Sequence, residues 1–266
     1  MVPVSIIIIT KNAADIIKGC IEKARELTDD IIVIYNGDIN EQTQDIAVND
    51  GCRVYNKTWD SYGANKNKGV ELARYNWILS IDSDEIADGE LIAAIHNLDF
   101  NDTKAVYDIK FRSYFGKKAI KHGSWGRDHH VRLFNREFVK WSETLIHEKL
   151  VLPSFVQKKE IEGYIHHYSV NNALEFDSKC SYYAKLSAKK YFRTGKKATV
   201  IRLYLSPMFS FVKNYIAYLG FLDGREGWEI AKTIAKNTSR KYHFLSQMET
   251  YGERKQAAKD NLVVEY

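Results

Sequence analysis

The order of hydrophobic patterns over the first hundred residues limits the possible folds more than any other feature of this chain. Residues 4–9 are a short β-branched run closed by the polar break Thr10-Lys11-Asn12. Residues 13–27 then show helical spacing at Ile16, Ile17, Cys20, Ile21, Ala24 and Leu27. Residues 30–35 repeat the strand pattern and end in the turn Asn36-Gly37-Asp38. A short helix over 41–49, a strand over 53–55 and a helix over 64–73 continue the alternation. Such spacing predicts a mainly parallel α/β sheet covered by helices on both faces. Ligands of these sheets bind beyond the carboxyl ends of the strands, so the residues after each strand are expected to share one crevice.

The most chemically loaded of those strand ends is residues 77–85, W-I-L-S-I-D-S-D-E. An apolar run stops abruptly in three carboxylates, Asp82, Asp84 and Glu85. Strand alternation would set Asp82 and Asp84 on one side and turn Ser83 away. Paired carboxylates there suit a hard divalent ion, Mg²⁺ or Mn²⁺, which also binds substrate phosphates. The plain alternative is a solvated acidic turn.

Size and composition narrow the class. With 266 residues, 45% hydrophobic and 27% charged, the chain can bury the core of one large α/β domain or of a domain with an appendage. Cys20, Cys52 and Cys180 are an odd number without metal-ligand spacing, which points to a reducing compartment rather than a disulfide framework. No basic segment precedes the first apolar run, so a signal peptide is not expected and the cytoplasm is. The net charge of +5 is uneven. Residues 151–266 hold 19 Lys and Arg against 11 Asp and Glu, whereas residues 1–150 hold 20 against 23. A basic C-terminal portion suits an anionic membrane surface or another polyanion, or is simply a solvated face.

From residue 105 the pattern changes. Strands are expected at 106–111 and 129–134, around a loop carrying Lys117, Lys118, Lys121, His122, Trp125 and Arg127. Residues 141–149 carry Glu143, His147 and Glu148, and a last strand over 161–168 ends in His166-His167-Tyr168. Helical patterns follow at 173–194 and 200–222.

Taken together, these motifs resemble the family 2 inverting glycosyltransferases, which have a GT-A fold. V-S-I-I-I-I-T-K-N (4–12) resembles their opening strand and donor-binding turn, and D-I-I-V-I-Y-N-G-D (30–38) their second strand. G-A-N-K-N-K-G (63–69) is similar to the family's Lys/Arg-Asn segment, and I-D-S-D-E (81–85) to its metal-binding Asp-X-Asp. R-L-F (132–134), I-H-E-K-L (146–150), R-L-Y-L-S-P (202–207) and G-F-L-D-G (220–224) resemble a bacterial subgroup of lipopolysaccharide-core β-1,4-glucosyltransferases. The resemblance implies a catalytic domain over 1–170, with a nucleotide-sugar half (1–100) and an acceptor half (101–170). Residues 171–266 are then a helical extension. It implies a nucleotide-sugar donor, UDP-hexose above others, and a glycan or lipid-linked glycan acceptor. One departure matters: the family's base-contacting acidic residue falls on Tyr35, which can stack on a base but cannot accept from its N–H as a carboxylate does.

The resemblance and the chemistry together give roles. Thr10, Asn12 and Tyr35 belong to the donor-binding turns. Asp84, with Asp82, would hold the metal that neutralises the leaving diphosphate, with Asp82 near the donor ribose. Lys66 is a second cation for the phosphates, or a surface helix lysine. Asn67 holds the loop or the donor, or forms a turn. Inversion needs a base for the acceptor hydroxyl, and Glu148 is the candidate ahead of Glu143 and Asp128; an exposed carboxylate paired with Lys149 is the alternative. His167 completes the metal site or packs at a strand end. Trp125, Arg127 and Arg132 shape the acceptor pocket or fill the core. Residues 200–222 are too interrupted by Arg202, Pro207 and Lys213 to span a membrane. They suit an interfacial segment, a core helix or a dimer contact. The competing functions are a sugar-1-phosphate nucleotidyltransferase, which needs a glycine-rich loop after the first strand, and a polyanion-binding module. No nucleic-acid motif supports the latter, so nucleic acid is not expected as a partner.

Overall fold

Strand β1 (Val4–Thr10) is buried along its whole length, because strands lie against both its edges and helices pack on both its faces. The computed structural model describes residues 1–10, 13–35, 41–58, 60–142 and 148–263, with 41 and 252–263 as backbone only. After β1 come α1 (Ile17–Arg25), β2 (Ile31–Tyr35), α2 (Glu41–Asn49), β3 (Arg53–Asn56), α3 (Tyr62–Leu72), β4 (Trp77–Asp82), β5 (Glu85–Ala87) and α4 (Gly89–His96). Then follow β6 (Ala105–Phe115), β7 (Lys118–Ala119), β8 (His129–Asn135), β9 (Lys140–Trp141), β10 (Leu150–Val151), β11 (Gln157–Val170), α5 (Ala173–Arg193), α6 (Ser206–Val212) and α7 (Gly224–Val263). The main sheet runs β3-β2-β1-β4-β8-β6-β11-β5. It is parallel from β3 to β4, and β4 pairs with β8 antiparallel. The chain thus builds a mixed α/β GT-A sheet with helices after it.

The chain divides into two compact units, 1–114 with 127–169, and 115–126 with 170–266. Residues 115–126, which the sequence groups with the acceptor half, therefore cluster with the C-terminal helices.

In the first unit the two-residue period of β1 sorts its side chains. Ile6 and Ile8 pack with Ile17, Cys20 and Ile21 of α1 on one face. Ile7 and Ile9 pack with Val70, Phe134 and Trp141 on the other. Helix α3 is capped by Ser61, whose hydroxyl accepts the Ala64 N–H at 3.1 Å. It then presses on β1 through Gly69, where a Cβ would meet Ile7 Cγ2 at 2.3 Å. Gly69→Ala should therefore lower stability by about 1–3 kcal/mol, as overpacking of a filled core does. A denaturation midpoint equal to the parent's would show that this approach is not tight.

The end of the sheet remote from the strand C-termini is locked by Asp30, which is 1% exposed. Its carboxylate accepts from Ser5 Oγ at 2.6 Å, the Arg74 backbone N–H at 2.8 Å and Arg53 Nη2 at 2.5 Å. Removing it strands the buried Ser5 hydroxyl and leaves the part-buried Arg53 guanidinium and Arg74 N–H without their acceptor, so Asp30→Ala should cost about 3 kcal/mol. Urea denaturation checks this, and a loss below about 1 kcal/mol would contradict it.

In the second unit, α5 and α7 are joined by Asp177, which accepts from Arg240 Nη1 at 2.8 Å and Nη2 at 2.9 Å. Ala188, Tyr242 and Leu245 form a small core nearby. Buried Asp223 accepts from the backbone N–H of Lys121 at 3.2 Å and of His122 at 2.8 Å, tying segment 115–126 to the start of α7. Among the described residues no helix is long and apolar enough to cross a membrane.

Candidate active site

Strand register brings the first expected site residues level. Thr10 lies beside Tyr35, and Ile9 beside Asp82, so the carboxyl ends of β1, β2 and β4 form one edge. Thr10 Oγ1 is buried there without a hydrogen-bond partner among the described residues, and Tyr35 is half-buried. Asn12 and Glu143 lie outside the described residues.

The alternation expected over Asp82–Asp84 does not hold, because β4 ends at Asp82 and the chain turns through Ser83 and Asp84. The Ser83 N–H donates to the Ile9 carbonyl at 3.1 Å, which fixes the turn against β1. Glu85 then opens β5 as a buried carboxylate. Its Oε2 accepts the Asp82 backbone N–H at 2.9 Å, and its Oε1 accepts from Arg132 Nη2 at 2.5 Å. Arg132 Nη2 also lies 3.5 Å from Asp82 Oδ2. Arg132 thus clamps the acidic turn from β8, rather than merely lining a pocket.

Lys66 approaches from α3. It is only 2% exposed, and its Nζ lies 3.4 Å from Asp82 Oδ1 and 3.1 Å from Glu148 Oε1. The same ammonium sits 4.5 Å from the centre of the Trp141 ring. The surface-lysine alternative is therefore excluded. Glu148 joins the cluster through Lys66, across 82 residues of sequence. Asn67 does hold a loop: its Oδ1 accepts the Trp141 N–H and its Nδ2 donates to the Trp141 carbonyl, both at 3.0 Å. This fixes β9 beneath the ammonium.

Strand β11 supplies the remaining side. Its antiparallel pairing with β5 sets His167 opposite Glu85, and the Tyr168 N–H donates to the Asp84 carbonyl at 2.9 Å. His167 Nε2 lies 3.6 Å from Asp84 Oδ2. Asp128 instead pairs with His130, at 3.0 Å. Trp125 packs against Phe176 at a ring separation of 5.1 Å in the second unit, which is the core reading of that residue. Arg127 follows it in the same short 3-10 turn.

The charges are strongly coupled. Burial pushes the Asp82 carboxyl up, but Lys66, Arg132 and His167 outweigh it and bring the pKa down to about 2. For Glu85 burial wins over Arg132, and with the neighbouring Asp82 charge it raises the carboxyl to about 7. Burial lowers the His167 pKa, yet Asp84, Glu85 and Asp82 together outweigh it and raise it.

The donor set fits a hard cation. Asp82 Oδ1 is buried with only the loose 3.4 Å approach of Lys66 Nζ, short of a good hydrogen bond, and Asp82 and Asp84 offer carboxylate oxygens. Among the described residues no three His, Cys, Asp or Glu gather closely enough to hold an ion by themselves. Mg²⁺ commonly uses one or two carboxylates and completes its shell with water and substrate phosphate.

Sequence reasoning left Glu85 and Trp141 without a role. A third carboxylate ending an apolar strand is itself a signal that a buried cation must meet it.

A family model described as Glycosyl transferase family 2 matches residues 5–170. A glycosyltransferase of Rickettsia typhi is 27% identical over 241 residues, covering 86% of this chain and 81% of that protein. One from Rickettsia felis is 28% identical over 244 residues, covering 86% and 84%. The structure of Staphylococcus aureus TarS 1–349 in complex with UDP-GlcNAc is similar over 94% of this chain and 92% of that one, with 10% identity and a TM-score of 0.49.

Proposed function

Because the chain belongs to glycosyl transferase family 2, we propose that this glycosyltransferase moves a hexose, with inversion, from a UDP-linked donor to a saccharide acceptor. We take the product to be a bacterial cell-surface glycan of the lipopolysaccharide-core kind. We take the workplace to be the cytoplasm, at the inner face of the membrane, where a lipid-linked acceptor is displayed.

One observation carries this reading: a buried lysine bridges Asp82 at a strand end and Glu148 from a distant loop. A nucleotide sugar reacts when its diphosphate leaves, so fixed positive charge must meet the developing negative charge. Lys66 and Arg132 supply two such charges beside Asp82. Mg²⁺ or Mn²⁺ held by Asp82 and Asp84 would add a Lewis acid for the same oxygens. Glu148 takes the proton of the acceptor hydroxyl, and Lys66 orients its carboxylate for that task. Thr10 and Tyr35, level with Asp82, face the nucleoside. The family match does not favour a nucleotidyltransferase or a polyanion-binding module.

The test is product stereochemistry. With UDP-hexose and lipopolysaccharide-core acceptors, the enzyme should release UDP and form a bond of opposite anomeric configuration, read by NMR. Retained configuration, or no UDP release with any UDP-hexose, overturns the proposal.

A further inference from the structure

The second unit carries a helix whose amphipathicity is reversed. The chain is helical from 200 to 217, with π-wound turns at Ile201–Leu205 and Lys213–Ala217 on either side of α6. Its exposed positions fall in adjacent pairs: 200/201, 204/205, 208/209, 212/213 and 216/217. The pairs between them are half-buried or buried. Leu203 packs toward Ala188, Tyr242 and Leu245, and Phe211 and Tyr215 meet the Trp228 ring at 5.2 and 5.3 Å. The outward side should therefore be polar. It is Val200, Ile201, Tyr204, Leu205, Met208, Phe209, Val212 and Ile216, with Lys213 the one charge among the pairs.

The winding explains how this stripe stays on one face. Four residues overshoot a turn of α-helix, which takes 3.6, and fall short of a turn of the wider π-helix. Alternating the two lets rows spaced by four run nearly straight. Beyond the helix, Leu219 takes a left-handed backbone with φ of 59°, unusual for a leucine, and Leu219, Phe221 and Leu222 are exposed as well. A continuous apolar surface of this kind marks an interaction site.

The charges beside the stripe identify the partner. Residues 193–225 contain Arg193, Lys196, Lys197, Arg202, Lys213 and Arg225 and one acid, Asp223, which is buried against segment 115–126. An apolar strip whose own stretch exposes cations complements an anionic bilayer surface, with rings and aliphatic chains below the headgroups and cations among them, while the nearby Glu249 carboxylate is turned onto the Ala198 N–H at 3.3 Å. A self-association surface would need acids to answer those cations, and this stretch exposes none. We propose that this face docks the protein peripherally on anionic lipid, independently of the chemistry at the sheet edge.

The test is sedimentation with phosphatidylcholine vesicles, with and without phosphatidylglycerol. The parent should co-sediment with the anionic vesicles and bind neutral ones weakly. Replacing Lys197 and Lys213 by Ala should weaken binding about fivefold for each cation, and added salt should act in the same direction. Leu205→Glu with Phe209→Glu should reduce it by more than roughly tenfold. Circular dichroism and nucleotide binding in solution should stay at parent values, because these side chains project away from the unit. A parent that stays in the supernatant at low salt overturns the proposal. So does a parent dimer by light scattering that Phe209→Glu dissolves, since the face then belongs to a second copy. Loss of nucleotide binding with vesicle binding intact would count against the transferase reading alone.

Discussion

Glu148→Gln is expected to leave nucleotide affinity within a few-fold of the parent and to cut turnover by about 10²–10⁴-fold. The amide keeps the shape of the side chain and an oxygen for Lys66 Nζ, now 3.1 Å from Oε1, so the cluster should stay assembled. What disappears is the capacity to take a proton. Steady-state rates and calorimetry on the same preparation separate the two effects. A rate near the parent's would move the base to Asp128 or Glu143, and a collapse of nucleotide affinity would make Glu148 a binding residue instead.

Lys66→Met should be damaging in two ways. Asp82 and Glu148 would lose their shared cation, and the Trp141 ring its charged neighbour. Breaking a fully buried pair costs about 3–5 kcal/mol. The Asp82 side chain is 33% exposed, so a loss of about 2 kcal/mol is expected here. Nucleotide diphosphate affinity should fall at least roughly tenfold, because a desolvated charge facing the phosphates is gone. Lys66→Arg should not restore it, since a planar fork does not fit a cavity that closes on an ammonium. Urea denaturation and calorimetry read both effects. Parent values in both would make Lys66 a bystander.

Lys66 also shows where sequence stops being informative. The apolar runs of β1, β2 and β4 were legible because strands buried on both faces leave few polar positions. Their register then placed Thr10, Tyr35 and Asp82 together, as the rule for parallel sheets predicts. Whether Lys66 was surface or site was not legible, because its burial depends on Gly69 letting α3 close on Ile7. Glu148 and His167 reach the acidic turn through non-local pairing, the β9–β10 ribbon and the register of β11 on β5. Neither pairing leaves a local pattern. The turn at Ser83 was misread as continued strand because Asp and Ser serve both conformations, and only the bond from Ser83 to Ile9 decides. The 200–222 run was visibly apolar, but which side of it faced water was a property of the packed unit.

On the proposed function, the acidic strand end binds a nucleoside diphosphate together with a divalent ion. Calorimetric titration of UDP into the parent and into Asp84→Ala, each with and without Mn²⁺, tests it most directly. The parent should bind UDP markedly more tightly with Mn²⁺, and Asp84→Ala should lose that gain while keeping its fold by circular dichroism. Equal UDP affinity in all four titrations, or no binding by the parent in either buffer, would contradict it.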